Sequence, residues 1–356
     1  MNLPTRLGAA TRNAHLWLPG YLLSRLRARK RMPATDVWMM FADHFEPLWA
    51  SADGATARAR VARWRQVWPE IASRHRDSED RPPCYGFFYP EEEYRPELLE
   101  PLAEMARLGI ADVEVHLHHD RDTEPAFRER LGRFLEALNR DHGLLRVEDG
   151  RKRFGFIHGN WCLDNARPDG RWCGLDNEIT ILREMGCYAD FTLPAAPDPS
   201  QTGPVNVIYR ATDDPHRPRS HARGTPVEPG ARAAGDLTLI PGPLGLDWTD
   251  RTLLKPRLDT GEVAANHRPS PERTRLWLDV APRIGSHVFV KLFSHGAPER
   301  NSEVLLGGDL DRLFESVLSE SRARGLRLHY VSPWEMWQAI ERFEDAGSPI
   351  RSTLVA

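Results

Sequence analysis

The chain lacks an excess of either charge: 48 Lys and Arg stand against 51 Asp and Glu, a net charge of −3. General nucleic-acid binding calls for a basic surplus, so no nucleic-acid partner is expected. It contains no run of about 18 apolar residues, which excludes a membrane-spanning helix from the expectations. Cysteine is scarce, and Cys84, Cys162, Cys173 and Cys187 form no C-x-x-C pair. That spacing argues against a Cys-rich zinc knuckle and against a dense disulfide framework, while a Cys162–Cys173 bridge stays open. The N-terminus has no clear apolar core ending in small residues, so it does not read as a secretory signal, and a cytoplasmic protein with reduced thiols is the expectation. No internal repeat is evident.

What is present suits a globular α/β protein. The 356 residues are 40% hydrophobic and 28% charged. That length is long for one core, but α/β barrels reach it as one domain. Residues 1–35 form a basic segment: Arg6, Arg12, Arg25, Arg27, Arg29, Lys30 and Arg31 occur there before any acid, interleaved with Leu16, Trp17, Leu18, Tyr21, Leu22 and Leu23. Such a segment either packs on the barrel as a basic helix or lies on an anionic membrane surface, giving a peripheral membrane contact.

From residue 36 the chain alternates short apolar runs with amphipathic stretches, the pattern of parallel βαβ units. Strand runs are expected over 37–42, 85–89, 113–118, 153–157, 188–193, 287–293 and 326–331. Helices are expected over 55–73, 96–108, 124–140, 176–185, 308–324 and 333–345, the second and fourth stopped by Gly109 and Gly186. Residues 195–285 are rich in Pro, Gly and Asp, with strand candidates at 205–209 and 236–240. A structureless loop of that length would be unusual, so this section reads as an insertion of short strands on long loops, in the manner of a lid. The domain expectation is 36–350, with the insertion at 195–285.

In such barrels the reactive groups sit at the C-terminal ends of strands, and this sequence concentrates them there. Asp43 and His44 follow the first run, Glu91 and Glu92 the second, His116, His118, His119 and Asp120 the third, His158, Asn160 and Trp161 the fourth; Asp190 and Thr192 lie in the fifth, and His295 ends the late one. Alternation along a strand would turn Val113, Val115 and Leu117 to the helices and Glu114, His116 and His118 to the interior. Two imidazoles two residues apart on one face can share a divalent metal, with a carboxylate from elsewhere completing the site; hydrogen-bonded surface histidines are the plainer alternative. Asp43 reads as ligand, general base or helix cap, and His295 as a general acid that titrates near neutrality or as a turn histidine. Lys291 shares a face with His295 and needs a partner if that face is buried; Glu114 is the candidate. Trp161 and Trp172, beside Asn160, Asp164 and Asn165, suit stacking on a sugar and recognition of its hydroxyls, or packing beneath a loop.

These residues resemble the NodB-like polysaccharide deacetylases of the glycoside hydrolase/deacetylase superfamily. Phe41-Ala42-Asp43-His44 stands where that family has Thr-Phe-Asp-Asp-Gly; Glu114 to Asp122 stands at its His-x-x-x-His pair; Leu292-Phe293-Ser294-His295 resembles its closing leucine–histidine motif. The resemblance implies an α/β fold of distorted (β/α)7-barrel type and a divalent metal, zinc being the first candidate. It implies removal of acetyl groups from an N- or O-acetylated saccharide. The site it suggests has Asp43, His295 and His158 as catalytic residues, Asn160, Trp161 and Asp190 at the substrate, and Asp43, His116, His118 and Asp122 on the metal. This chain departs from the family pattern in having Ala42 and His44 around a single Asp43, no histidine four residues after His116 or His118, and His158-Gly159-Asn160-Trp161 where an Arg-Pro-Tyr segment is expected. Two other functions fit a similar barrel: a glycoside hydrolase using two carboxylates about 5–10 Å apart, drawn from Asp43, Glu91, Glu92 and Asp190, and a glycan-binding protein without turnover.

Overall fold

The computed structural model describes residues 12–29, 32–230, 232–249 and 256–345. Arg6, Lys30 and Arg31 of the basic segment lie outside those residues, as do the last residues of the expected 36–350 domain.

The N-terminal helix α1 (Ala14–Ala28) precedes strand β1 (Asp36–His44) and helix α2 (Gly54–Arg74). Next come β2 (Tyr85–Pro90), α3 (Pro96–Arg107), β3 (Ala111–Leu117), α4 (Glu124–Glu136), β4 (Arg146–Glu148), β5 (Arg151–His158), α5 (Glu178–Met185) and β6 (Cys187–Asp190). Short strands β7 (Tyr209–Ala211), β8 (Thr225–Pro226), β9 (Leu237–Leu239), β10 (Gly245–Asp247) and β11 (Arg257–Asp259) lead to helix α6 (Pro271–Val280). The chain ends with β12 (Arg283–Ile284), β13 (His287–Ser294), α7 (Glu299–Val304), α8 (Leu310–Ala323), β14 (Arg327–Tyr330) and α9 (Pro333–Glu344).

The result is a mixed α/β fold around a largely parallel sheet. Strands β13, β1, β2, β3, β5, β6 and β9 lie side by side and all run parallel. One flank of β1 is covered by β13; the other is shared by β14 at Asp36–Met39 and β2 at Asp43–His44. Local chemistry starts and stops the helices. The Asp53 carboxylate accepts from Thr56 N at 2.7 Å to cap α2. Ser332 and Glu335 form a reciprocal capping box on α9, and Gly186, at φ 106°, ends α5 in the left-handed conformation that glycine tolerates best.

Strand alternation sorts the core into two clusters. Val37, Met39, Phe41, Phe87, Val113, Val115, Leu117, Phe154 and Phe156 pack with Trp64, Trp68, Leu102, Phe127 and Phe314 of the helices. Met40, Ala42, Phe88, Ile157, Phe289 and Phe293 face the other way, and Trp334, Met336 and Ile340 of α9 join that second cluster. No ladder joins β9 to β13 among the described residues. Even so, Lys291 of β13 donates from Nζ to the carbonyls of Phe191 and Leu193 just beyond β6, the latter at 2.6 Å. That contact requires the sheet to curl.

The section 195–285 holds more order than its composition suggests. β9 extends the main sheet parallel to β6, and β7 adds antiparallel to β9. Helix α6 was not legible as an amphipathic run, although Ser270-Pro271-Glu272 is an N-terminal signal, and Ser270 does cap Arg273 N. The strand expected at 205–209 begins only at Tyr209. Asn206 has φ 56° and bonds Leu244 through both ends of its amide, at 2.7 and 2.9 Å, taking the place of a backbone ladder. Helix α1 docks on this section through Trp17, which clusters with Ala196, Val205, Leu244 and Leu258; Leu22, Leu23 and Leu26 remain exposed. No helix among the described residues is long and apolar enough to cross a membrane.

Candidate metal centre and its cleft

Strand β3 carries the centre. Because Val113, Val115 and Leu117 pack toward the helices, the pleat turns His116 and His118 to the opposite face. The His116 ring meets the rings of His44 and His118, with centroids 4.9 and 4.5 Å away. His116 Nδ1 lies 2.9 Å from the Ile157 carbonyl. A carbonyl only accepts, so Nδ1 carries the hydrogen and the Nε2 lone pair is free. That Nε2 is buried with no partner, as is Glu46 Oε2.

Glu46 brings the group together. Its Oε1 lies 3.2 Å from His118 Nε2 and 3.7 Å from His116 Nε2. Its Oε2 lies 4.0 Å from His295 Nε2. Glu46, His116 and His118 each present a ligand atom within 4.8 Å of the others. On the far side of His118, Glu92 Oε1 sits 2.5 Å from Nδ1. A carboxylate behind a histidine fixes its tautomer and makes its other nitrogen a better metal donor. Gly159 has no room for a Cβ because the His118 ring lies against its backbone. Burial, with the neighbouring rings of His295 and His116, drives His44 well below its ordinary pKa and keeps it neutral.

The expected ligand set Asp43, His116, His118 and Asp122 is corrected at two positions. Asp43 shares the face of Phe41, on the helix side of β1, and both its oxygens are engaged: Oδ2 accepts from Tyr85 at 2.6 Å and Oδ1 from Gly296 N at 2.8 Å. Alternation therefore points it away from His116, and the structure does not bring it into the histidine cluster. Asp122 turns to Arg130 and Thr123 N, with His119 Nδ1 at 3.4 Å. Glu46, three residues beyond Asp43, supplies the carboxylate instead. Nothing in the sequence tells which of these two acids turns inward.

Other expected residues divide in the same way. His158 continues the Phe154–Phe156 face and is buried beside His119, away from the cleft, so it is unavailable as a catalytic group there. Asp190 is buried and accepts from Thr192 N and Oγ1 at 3.0 and 2.7 Å, leaving it no free reach toward a substrate. Lys291 does not meet Glu114, which instead accepts from Tyr188 and Gly155 N. Burial lowers Lys291 to about 7, against the attraction of Asp190.

A cleft of about 1000 Å³ lies beside the centre and meets it through His295, 4.0 Å from Glu46; Glu46, His116 and His118 do not themselves line it. His295, Phe293, Trp161, Glu262 and His267 are among its walls, and Arg12, Asn13, His15 and Leu16 border it from α1 and the residues just before it. Asn160, next to Trp161, is not part of that wall. Trp172 is covered by the guanidinium groups of Arg167 and Arg171, 4.6 and 4.8 Å from its ring, so it is not free to stack on a sugar. Glu262 holds His267 Nδ1 at 2.5 Å. Among the described residues the Arg219 guanidinium bonds only the Pro199 and Gln201 carbonyls, at 3.4 and 3.0 Å, and so brings a cation without a carboxylate partner to the cleft. Burial lowers the His295 pKa despite Glu46 and Glu262, which favours a neutral imidazole at the cleft wall.

No family model matches this chain, and no curated protein matches it in sequence.

Proposed function

We propose that this protein is a metal-dependent hydrolase that removes acetyl groups from an N- or O-acetylated saccharide, on a divergent barrel of the NodB-like deacetylase type. The observation that carries the reading is the pair of buried, unpartnered atoms His116 Nε2 and Glu46 Oε2 in one cluster with His118. An unpaired buried polar atom costs about 1–3 kcal/mol, and a divalent cation held by the Glu46 carboxylate and the two rings would give the His116 Nε2 lone pair a partner. The seven parallel strands and the reach of Lys291 across the sheet support the barrel.

Glu46, His116 and His118 would hold the ion, zinc first, since two nitrogens and one carboxylate leave a fourth position open. Once bound, such an ion supplies Lewis acidity, lowering the pKa of water and polarising an acyl carbonyl. The protein's own part lies in positioning and proton transfer. Glu92 and the Ile157 carbonyl hold the two rings in register. Hydrolysis adds water to the acetyl carbon and breaks its bond to the sugar nitrogen or oxygen; the departing atom needs the proton that water gives up. A neutral His295 at the cleft wall is suited to receive and return that proton. Trp161 offers an aromatic wall for a sugar ring. The carboxylate-pair reading has less support, because Asp43 and Asp190 are already committed to internal partners. The exposed Leu22, Leu23 and Leu26 beside Arg25 and Arg27 would suit peripheral contact with an anionic membrane and a lipid-linked substrate.

Metal content by elemental mass spectrometry, paired with acetate release from acetylated oligosaccharides, tests the proposal. The wild-type chain is expected to hold zinc or a similar ion at this centre and to release acetate. Glu46→Gln and His116→Ala should each lose one equivalent and the activity. His295→Ala should keep the metal and lower kcat by about 10²–10⁴-fold with little change in KM. A reconstituted protein from which Glu46→Gln removes no metal overturns the reading.

A further inference from the structure

A second group of metal-type donors lies on the opposite side of the β3 and β5 strand ends. His119 follows β3, His158 closes β5, Cys173 lies in the loop after it, and Glu178 opens α5. All four are buried, and one donor atom from each lies within 4.8 Å of the rest. Glu178 Oε1 is 3.1 Å from His119 Nε2 and 3.5 Å from His158 Nε2; its Oε2 is 3.4 Å from Cys173 Sγ. Zinc bonded at roughly 2.0–2.3 Å to N, O and S in a tetrahedron separates its ligands by roughly 3.3–3.7 Å. The observed spacings are close to the edges of that figure.

Proton placement points the same way. His158 Nδ1 lies 2.6 Å from the Gly159 carbonyl, so it must donate, and its Nε2 is a buried lone pair with no partner. His119 faces a carboxylate at each nitrogen: Glu178 bonds Nε2, while Asp122 lies 3.4 Å from a buried Nδ1 that has no hydrogen-bond partner. A neutral imidazole has one hydrogen and satisfies one of them. Charging His119 would answer both carboxylates but leave His158 Nε2 orphaned. A dication at the centre answers all of these together: it takes both Nε2 lone pairs, it leaves the His119 hydrogen on Nδ1 for Asp122, and its charge balances a Cys173 thiolate and the Glu178 carboxylate.

We propose that His119, His158, Cys173 and Glu178 form a second, closed metal site of the structural zinc type, distinct from the Glu46–His116–His118 centre. With four buried protein donors, it keeps no position for a substrate. Its work is to clamp the loop 159–177, which carries Trp161 and Arg167 into the cleft wall. That loop already crosses back onto β3's end: Asp122 N donates to the Cys173 carbonyl at 2.9 Å, and Trp172 N to Asp120 at 2.6 Å. Asp164 N donates to Glu178 Oε2 at 2.7 Å. The metal would tie the same crossing covalently. Binding displaces the thiol proton from Cys173, so uptake should be accompanied by proton release.

Cobalt(II) added to the chelator-stripped full chain gives the test, because thiolate ligation produces a near-ultraviolet charge-transfer band that nitrogen and oxygen ligands do not. The wild-type protein is expected to show that band with intense tetrahedral visible absorption. Cys173→Ser should abolish it and Glu46→Gln should leave it intact. A wild-type cobalt form without a thiolate band overturns the proposal and needs no variant to fold. A band that persists in Cys173→Ser overturns it as well. If the band appears but Glu46→Gln loses no metal, the hydrolase reading fails while this site stands.

Discussion

Asp43 shows how far a residue's role depends on which face of a strand it takes. Burial pushes its carboxyl up from about 3.8 to about 7, against the bonds from Tyr85 and Gly296 N. A carboxyl whose pKa is raised by folding favours the folded state while protonated. Its contribution is complete below about 3.8 and is lost as the pH climbs through about 7. Asp43→Asn removes that loss, since an amide does not ionise and can still accept from Gly296. Urea midpoints of the chelator-treated proteins should therefore show the wild type losing ground to the variant between about pH 4.5 and 7.5. The loss should reach a few kcal/mol, because each tenfold change in proton affinity is worth about 1.4 kcal/mol. Midpoints that move in parallel would contradict this. The same variant should keep its metal at the Glu46 centre, which separates it from Glu46→Gln.

At the scale of elements, the section 195–285 is anchored by an ion pair. Asp259 of β11 and Arg273 of α6 are both buried, with Nε to Oδ2 at 2.6 Å, and Trp277 Nε1 also donates to Asp259. The same guanidinium donates to the carbonyls of Glu262, His267 and Arg268, which sets the wall where Glu262 and His267 meet the cleft. Removing one partner of such a pair leaves a buried charge, which costs about 3–5 kcal/mol. Asp259→Ala should lose that much stability in equilibrium unfolding and raise KM through the displaced wall. A cost below about 1 kcal/mol would mean that Arg273 finds water or another acceptor.

For the molecule as a whole, parallel strands make distant residues neighbours: Glu46, Glu92, His116, His118 and His295 come from loops and strand ends set by β1, β2, β3 and β13. An ion held by several of these elements binds the folded chain and not the unfolded one. At 100 times Kd, one such site adds about 2.7 kcal/mol. Calorimetry of the stripped protein with increasing zinc should show Tm rising with the logarithm of zinc concentration. A Tm indifferent to zinc would mean that neither donor group binds it.

The sequence by itself determined the order of the main strands and helices outside 195–285, the parallel character of the sheet, and the inward turn of His116 and His118. Each is local: apolar period, capping residues and pleat alternation all act within a few residues. Helix α6 and the Asn206 bridge were hidden because their partners, Asp259 and Leu244, are separated from them by 14 and 38 positions. Only the tertiary structure decided which acid joins the histidines. Asp43 and Glu46 are equally acidic as letters. Their roles part because β1 delivers Asp43 to Tyr85 and Gly296, while the turn after β1 carries Glu46 to His118. His119 and His158 likewise meet Cys173 and Glu178 only because the loop after β5 folds back over β3.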